Sequence, residues 1–117
     1  MRIRIEAPAK LNLGLEVVGR RPDGLHDLVS IMVNIDLVDV LTLETGSGFD
    51  ISGTYGGDID PGLELSMRAL RALEAQSGRR LRMGLTIEKS IPVGGGLGGG
   101  SADAAAVLRC APALGLD

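Results

Sequence analysis

Residues 91–105 run Ile91-Pro92-Val93-Gly94-Gly95-Gly96-Leu97-Gly98-Gly99-Gly100-Ser101-Ala102-Asp103-Ala104-Ala105, and their reading decides the rest of the chain. Six of the seven positions from Gly94 to Gly100 are glycine. Glycine loses more backbone freedom on ordering than any other residue, so such a run needs a compensating reason. Without Cβ atoms, successive N–H groups can turn inward and form an anion-binding nest. Ser101 then reads as the N-cap of an alanine-rich helix over 101–110, ended near Pro112. The amides and dipole at its start favour negative charge, which also accounts for Asp103 in the first turn. Strand, glycine loop and helix start together describe a phosphate cradle.

Three other readings compete for the loop. A P-loop requires a lysine at its end, G-x-x-x-x-G-K-[ST], and this loop has none. Gly94, Gly96 and Gly99 match the dinucleotide fingerprint G-x-G-x-x-G. That fingerprint needs a following strand with a ribose-binding acid, and the loop lies too late in the chain for one. A spare flexible linker is rarely followed directly by a capped helix.

Upstream of the loop the pattern is mostly that of strands. Residues 2–6 alternate polar and apolar, Ala7-Pro8-Ala9 interrupts, and 10–18 alternates again. In that second run Leu11, Leu13, Leu15 and Val17 are expected on one face and Lys10, Asn12, Gly14 and Glu16 on the other. Residues 19–24 read as a turn-rich connection. Leu28 to Ile35 and Val38 to Glu44 read as two further strands, with Asp36 and Asp39 as turn residues beside them. A short strand is expected around Phe49 to Ser52. Asp60-Pro61 reads as a helix N-cap and first turn, with Leu63, Met67, Leu70 and Leu73 at helical spacing and Gly78 as the stop. Leu81 to Lys89 alternates as a last strand before the loop. The order predicts one α+β domain, a mixed sheet packed with helices, without internal repeat or linker.

Bulk composition limits the function classes. Net charge is -3, which leaves no basic footprint for a nucleic-acid backbone. Phe49 and Tyr55 are the only aromatic residues, so stacking platforms for single strands are missing as well. One cysteine, Cys110, excludes an internal disulfide, fits a reducing compartment, and reads as packing on a buried face. No apolar run approaches the ~18 residues of a membrane span. The strand pattern starts at Arg2, so no signal peptide is expected and the chain reads as cytoplasmic.

Two clusters outside the loop carry polar groups that could do chemistry. Lys10 and Asn12 are two apart on a strand, so their side chains share a face beside Gly14. A lysine and a carboxamide facing an open space can orient a hydroxyl and balance phosphate charge, although a solvent-facing strand explains them equally well. His26 follows the turn Pro22-Asp23-Gly24-Leu25 and can donate and accept hydrogen bonds at once.

Residues 91–105 resemble the ATP-binding loop of the GHMP kinase superfamily. Three glycines on either side of Leu97 are similar to the form found in those members that phosphorylate a cytidyl sugar alcohol in non-mevalonate isoprenoid synthesis. Ala7-Pro8-Ala9-Lys10-Leu11-Asn12 is similar to their opening P-A-K-x-N, and Pro22-Asp23-Gly24-Leu25-His26 to their D-G-Y-H. The resemblance implies the GHMP-kinase amino-terminal domain, a ribosomal protein S5 domain 2-like fold. It implies ATP and Mg2+ as cofactors, with ATP at Pro92, Val93, Gly94, Gly95, Gly96, Leu97, Gly98, Gly99, Gly100, Ser101 and Ala102. Ser101 is the one possible magnesium contact. Lys10 becomes the catalytic candidate, and Asn12 and His26 the substrate-binding ones. Leu25 stands where the family has a tyrosine, which removes a stacking partner for cytosine. Glu64, in Leu63-Glu64-Leu65, stands where the family has an adenine-contacting asparagine. An ionised carboxylate cannot donate, so Glu64 is read as a first-turn acid.

The resemblance spans the whole chain but less than half of a full-length family member. Members carry a later Gly-Ala-Asp-Val-Pro motif with the catalytic aspartate, and no such motif occurs here. The expectation is therefore a truncated protein: residues 1–117 hold the amino-terminal ATP-binding domain, the carboxy-terminal domain is absent, and the chain alone is inactive. The partner is a small molecule rather than a nucleic acid or a membrane. Two alternatives stay open, another GHMP kinase acting on mevalonate, homoserine or a sugar, and a non-catalytic nucleotide-binding remnant.

Overall fold

The alternating pattern of the first 45 residues forms two long strands rather than four short ones. The computed structural model describes residues 1–46, 48–55 and 61–116, with only the backbone described at 61–64. Strand β1 spans Arg2–Arg20 and strand β2 His26–Thr45, and they pair antiparallel from Arg2↔Glu44 to Arg20↔His26. What reads in sequence as breaks are bulges. Ala9 alone stands against Ile35, Asp36 and Leu37, while Leu13 and Val18 are extra residues on β1. An extra residue absorbs an irregularity without ending the ladder, so Pro8 and Asp36 bend the strands but do not cut them. The bulge at Leu13 also shifts the alternation. The shared face of Lys10 and Asn12 therefore does not continue to Gly14 and Glu16.

Residues 21–25 close the hairpin. The Arg21 N–H donates to Leu25 O at 2.6 Å, the Leu25 N–H donates to Asp23 Oδ1 at 3.0 Å, and Arg21 pairs with Asp27 at 2.8 Å. Strand β3 (Phe49–Gly53) follows, then helix α1 (Pro61–Ser77), strand β4 (Met83–Lys89) and helix α2 (Gly99–Arg109). A single 3-10 turn over Pro112–Leu114 comes after α2. The sheet order is β1-β2-β4-β3, with β2 antiparallel and β3 parallel to β4. Gly78 ends α1 in the left-handed region at φ 67, as glycine allows. The expected N-cap at Asp60 and the side chains of Leu63 and Glu64 lie outside the described residues.

One face of the sheet carries both helices. Leu41 and Leu43 from β2 and Leu85 and Ile87 from β4 pack with Ala69 and Leu70 of α1 and Ala106, Val107 and Cys110 of α2. Each of the leucine, isoleucine and valine side chains contributes roughly 1.5–3 kcal/mol by leaving water. Thr86 and Glu88, at the alternate positions of β4, are exposed, so this part of the sheet is a two-layer structure with one wet face. The outer half of the β1–β2 hairpin is different, because it is exposed on both faces. Leu13, Leu15, Val17, Val18, Leu28, Val29, Ile31 and Met32 are all solvent-accessible, Ile31 at 64%.

Candidate functional site

The glycine run leaves β4 at Lys89 and enters α2 at Gly99. Gly94, Gly96 and Gly98 have φ of 75, 74 and 70, whereas the residues between them do not have positive φ. Such an alternation of φ sign is what lets successive N–H groups turn to one side, as in an anion nest. The helix cap lies three residues earlier than expected. Gly98 is the N-cap, not Ser101, and no side chain caps the helix; the Ala102 N–H donates back to Gly98 O at 2.9 Å. Packing explains why poor helix formers open it. A Cβ on Gly99 would lie 2.9 Å from Ile91 Cγ2, so only glycine lets the helix start this close to the strand end. The nest thus runs directly into the positive end of α2. A cleft of about 210 Å³ lies there, lined by the loop together with Leu65 and Lys89.

Lys10 is brought to this loop. Its N–H donates to Leu97 O at 3.0 Å, and a Cβ on Gly98 would stand 3.0 Å from Lys10 Cε. The lysine stem therefore lies across the bare face of Gly98. Asn12 is two residues further out, its Oδ1 accepting from Ser30 Oγ at 3.0 Å. His26 is not brought to the loop. It opens β2 at the hairpin tip, eight residues from Asn34, the partner of Lys10. At ~3.3 Å per residue that is roughly 26 Å away.

Ser101, freed from capping, is exposed in the first turn of α2. Among the described residues no group of three or more His, Cys, Asp or Glu is arranged to hold a metal ion.

Two acids behave differently from their sequence reading. Asp39 is not a turn residue but a fully buried member of β2, and Asp103 is not a first-turn acid but is buried in the second turn of α2. Both meet the buried ammonium of Lys89, Asp39 Oδ2 at 2.6 Å and Asp103 Oδ2 at 3.0 Å. Asp39 Oδ1 also accepts the N–H groups of Ser90 at 2.8 Å and Ile91 at 2.9 Å. Asp103 Oδ1 has no such partner among the described residues. The difference separates their titration. Burial pushes the Asp39 carboxyl up, but its hydrogen bonds outweigh that and hold it below the usual range. Burial, with the neighbouring Asp39 carboxylate, pushes Asp103 up to about 8 against the pull of Lys89. Burial lowers the Lys89 value, yet its two acidic partners win and raise it.

This cluster was missed in the sequence, though a signal was there. Asp39 lies in phase with Leu41 and Leu43, and Lys89 in phase with Leu85 and Ile87. A charge in phase with a buried stripe must find a partner. Cys110, by contrast, is buried as expected, its Sγ donating to Ala106 O at 3.3 Å.

A sequence profile described as GHMP kinases N terminal domain matches residues 64–116. The 4-diphosphocytidyl-2-C-methyl-D-erythritol kinase of Paracoccus denitrificans is 50% identical over 111 residues, 91% of this chain and 37% of that protein. Its counterpart in Carboxydothermus hydrogenoformans is 43% identical over 105 residues, 89% of this chain and 36% of that one. A crystal structure of 4-(cytidine 5'-diphospho)-2C-methyl-D-erythritol kinase superposes with a TM-score of 0.76 at 41% identity, covering 96% of this chain and 40% of the other. Phosphomevalonate kinase from Streptococcus pneumoniae shares the fold at a TM-score of 0.63 and 17% identity, over 100% of this chain and 36% of that one. The chain spans about a third of the length of the curated relatives it matches.

Proposed function

On the premise that this chain carries the amino-terminal fold of the GHMP kinases, we propose that it is the nucleotide-gripping part of an ATP-dependent kinase. The acceptor in this reading is a hydroxyl of 4-diphosphocytidyl-2-C-methyl-D-erythritol, the substrate in the names of its relatives at 43–50% identity. One observation carries the reading: an alternating glycine nest opens onto a helix N-terminus, with a lysine laid across it.

The residues present fit a bound triphosphate. The nest and the first amides of α2 supply donors for anionic oxygens, and the missing Cβ atoms at Gly98 and Gly99 leave the backbone close to Lys10 and Ile91. When bound, ATP supplies the phosphoryl group and Mg2+ balances the charge of its phosphates. In this reading the loop from Pro92 to Ala102 holds and orients that group, with Ser101 lining the same cleft from the first turn of α2. Lys10 provides the positive charge that stabilises the transferred group or lowers the pKa of the accepting hydroxyl. Asn12 and His26 lie progressively further along the hairpin, a spread that suits an extended substrate with its cytosine at the His26 end. Leu25, exposed beside His26, offers an apolar contact there rather than a stacked ring.

In this reading the catalytic base comes from a segment other than residues 1–117. The chain alone then binds nucleotide without turning substrate over, because positioning both reactants is most of the catalysis. Titration of the chain with Mg-ATP, with CDP and with NAD, followed by calorimetry, tests the proposal. Heat with Mg-ATP but not NAD supports it. Binding of neither nucleotide ends the kinase reading for this chain, and robust phosphorylation of the cytidyl substrate overturns the division of labour.

A further inference from the structure

We propose that Asp39 is the positioning residue of the glycine loop: its carboxylate stops β4 at Lys89 and, through that lysine, ties the first peptides of the loop to helix α2. The β2–β4 ladder runs from Thr45↔Met83 to Val40↔Glu88, so Asp39 and Lys89 would form the next rung. That rung is replaced by a side chain. Asp39 Oδ1 takes the N–H groups of both Ser90 and Ile91, which turns the chain off the sheet at the point where the loop starts. Asp39 Oδ2 holds Lys89 Nζ at 2.6 Å, and the same nitrogen reaches Asp103 Oδ2 on α2 at 3.0 Å. The two ends of the loop meet over this cluster, since a Cβ on Gly99 would lie 2.9 Å from Ile91 Cγ2 and 3.4 Å from Lys89 Nζ. Between these fixed ends the glycines have no side chains of their own to set their shape. One buried carboxylate therefore anchors the ends of the loop, while the Lys10 N–H bond to Leu97 O holds its middle.

Asparagine at this position keeps the size but not the chemistry. It has one acceptor oxygen and one NH2 group, so either Lys89 or the pair of peptide N–H groups faces a donor. The inference rests on the nucleotide reading only for its effect on binding, and the test separates the two. Amide hydrogen exchange is measured without nucleotide on the wild-type chain and on Asp39→Asn, at Lys10, Ser90, Ile91 and Ala102. The Leu85 and Ile87 amides in the interior of β4 serve as the reference for global opening.

The expected result is exchange at Lys10, Ser90 and Ile91 at least about tenfold faster relative to that reference, with Mg-ATP affinity falling by a similar factor. An unchanged ratio overturns the proposal, as does acceleration that is equal at Leu85 and Ile87. Ser90→Pro removes one of the two peptide donors and leaves every buried charge in place. If Asp39→Asn does not fold, local acceleration at Ile91 and Lys10 in Ser90→Pro supports the role, and its absence refutes it. A wild-type chain that ignores Mg-ATP while Asp39→Asn loosens the loop sustains the positioning and sinks the nucleotide reading alone.

Discussion

Asp103→Asn should flatten the pH dependence of stability between about pH 4 and pH 8. The folded Asp103 carboxyl is raised from 3.8 to about 8 by burial and by Asp39. Across that window the folded chain keeps a proton that the unfolded chain has lost. Stability therefore falls as pH rises, with a slope of about 1.4 kcal/mol per pH unit for one proton. Over the whole window the loss is on the order of 5 kcal/mol, a large share of what a domain of this size possesses. The other two members of the cluster act outside it. Asp39 is lowered, so its contribution is present above 3.8 and lost as pH falls further. Lys89 is raised, so its contribution is complete below 10.5 and lost as pH rises through its folded value. Asparagine matches the shape of the neutral acid, can still accept from Lys89, and cannot ionise. Urea unfolding of both proteins from about pH 5 to about pH 9 is the assay. The wild type should lose stability steadily up to about pH 8 and then level, while the variant stays nearly flat. Parallel curves for the two proteins would refute the assignment of the proton to this pair.

Gly98→Ala should cost roughly 1–2 kcal/mol from the left-handed backbone alone, and more where its Cβ meets Lys10 Cε. Mg-ATP affinity should fall with it by about tenfold, as measured by calorimetry, and unchanged affinity would separate Lys10 and the nest from binding. Leu15→Lys with Ile31→Lys, both on the exposed hairpin, should change stability by less than about 1 kcal/mol while lowering light scattering at high concentration. A loss well beyond that would show the outer hairpin to be packed in solution.

Much of this molecule was legible along the chain because its signals are local. The glycine run, the alanine-rich segment after it and the stop at Gly78 each depend on backbone freedom and near neighbours, and each appears where expected. The expectation of a phosphate cradle was likewise local, since a nest and a helix start need only adjacent residues. The comparisons bear out the fold class and the kinship to the kinases that the loop and the Pro8-Ala9-Lys10 segment suggested. Boundaries were less legible. Ser101 is the usual chemistry for a cap, but the close approach of Gly99 to Ile91 goes with a cap moved back to Gly98.

What tertiary structure alone decided is the fate of the charges. Whether Pro8 and Asp36 cut a strand or bulge it depends on the partner strand, and Pro8 meets Val38 some thirty residues away in sequence. Asp39, Lys89 and Asp103 are separated by 50 and 14 residues and acquire their meaning only when sheet and helix close over them. A carboxylate in water and one sealed against a lysine share the same letter, and burial together with the hydrogen bonds found there sets the proton. Sequence wrote the nest, and the packed sheet determined how it is held.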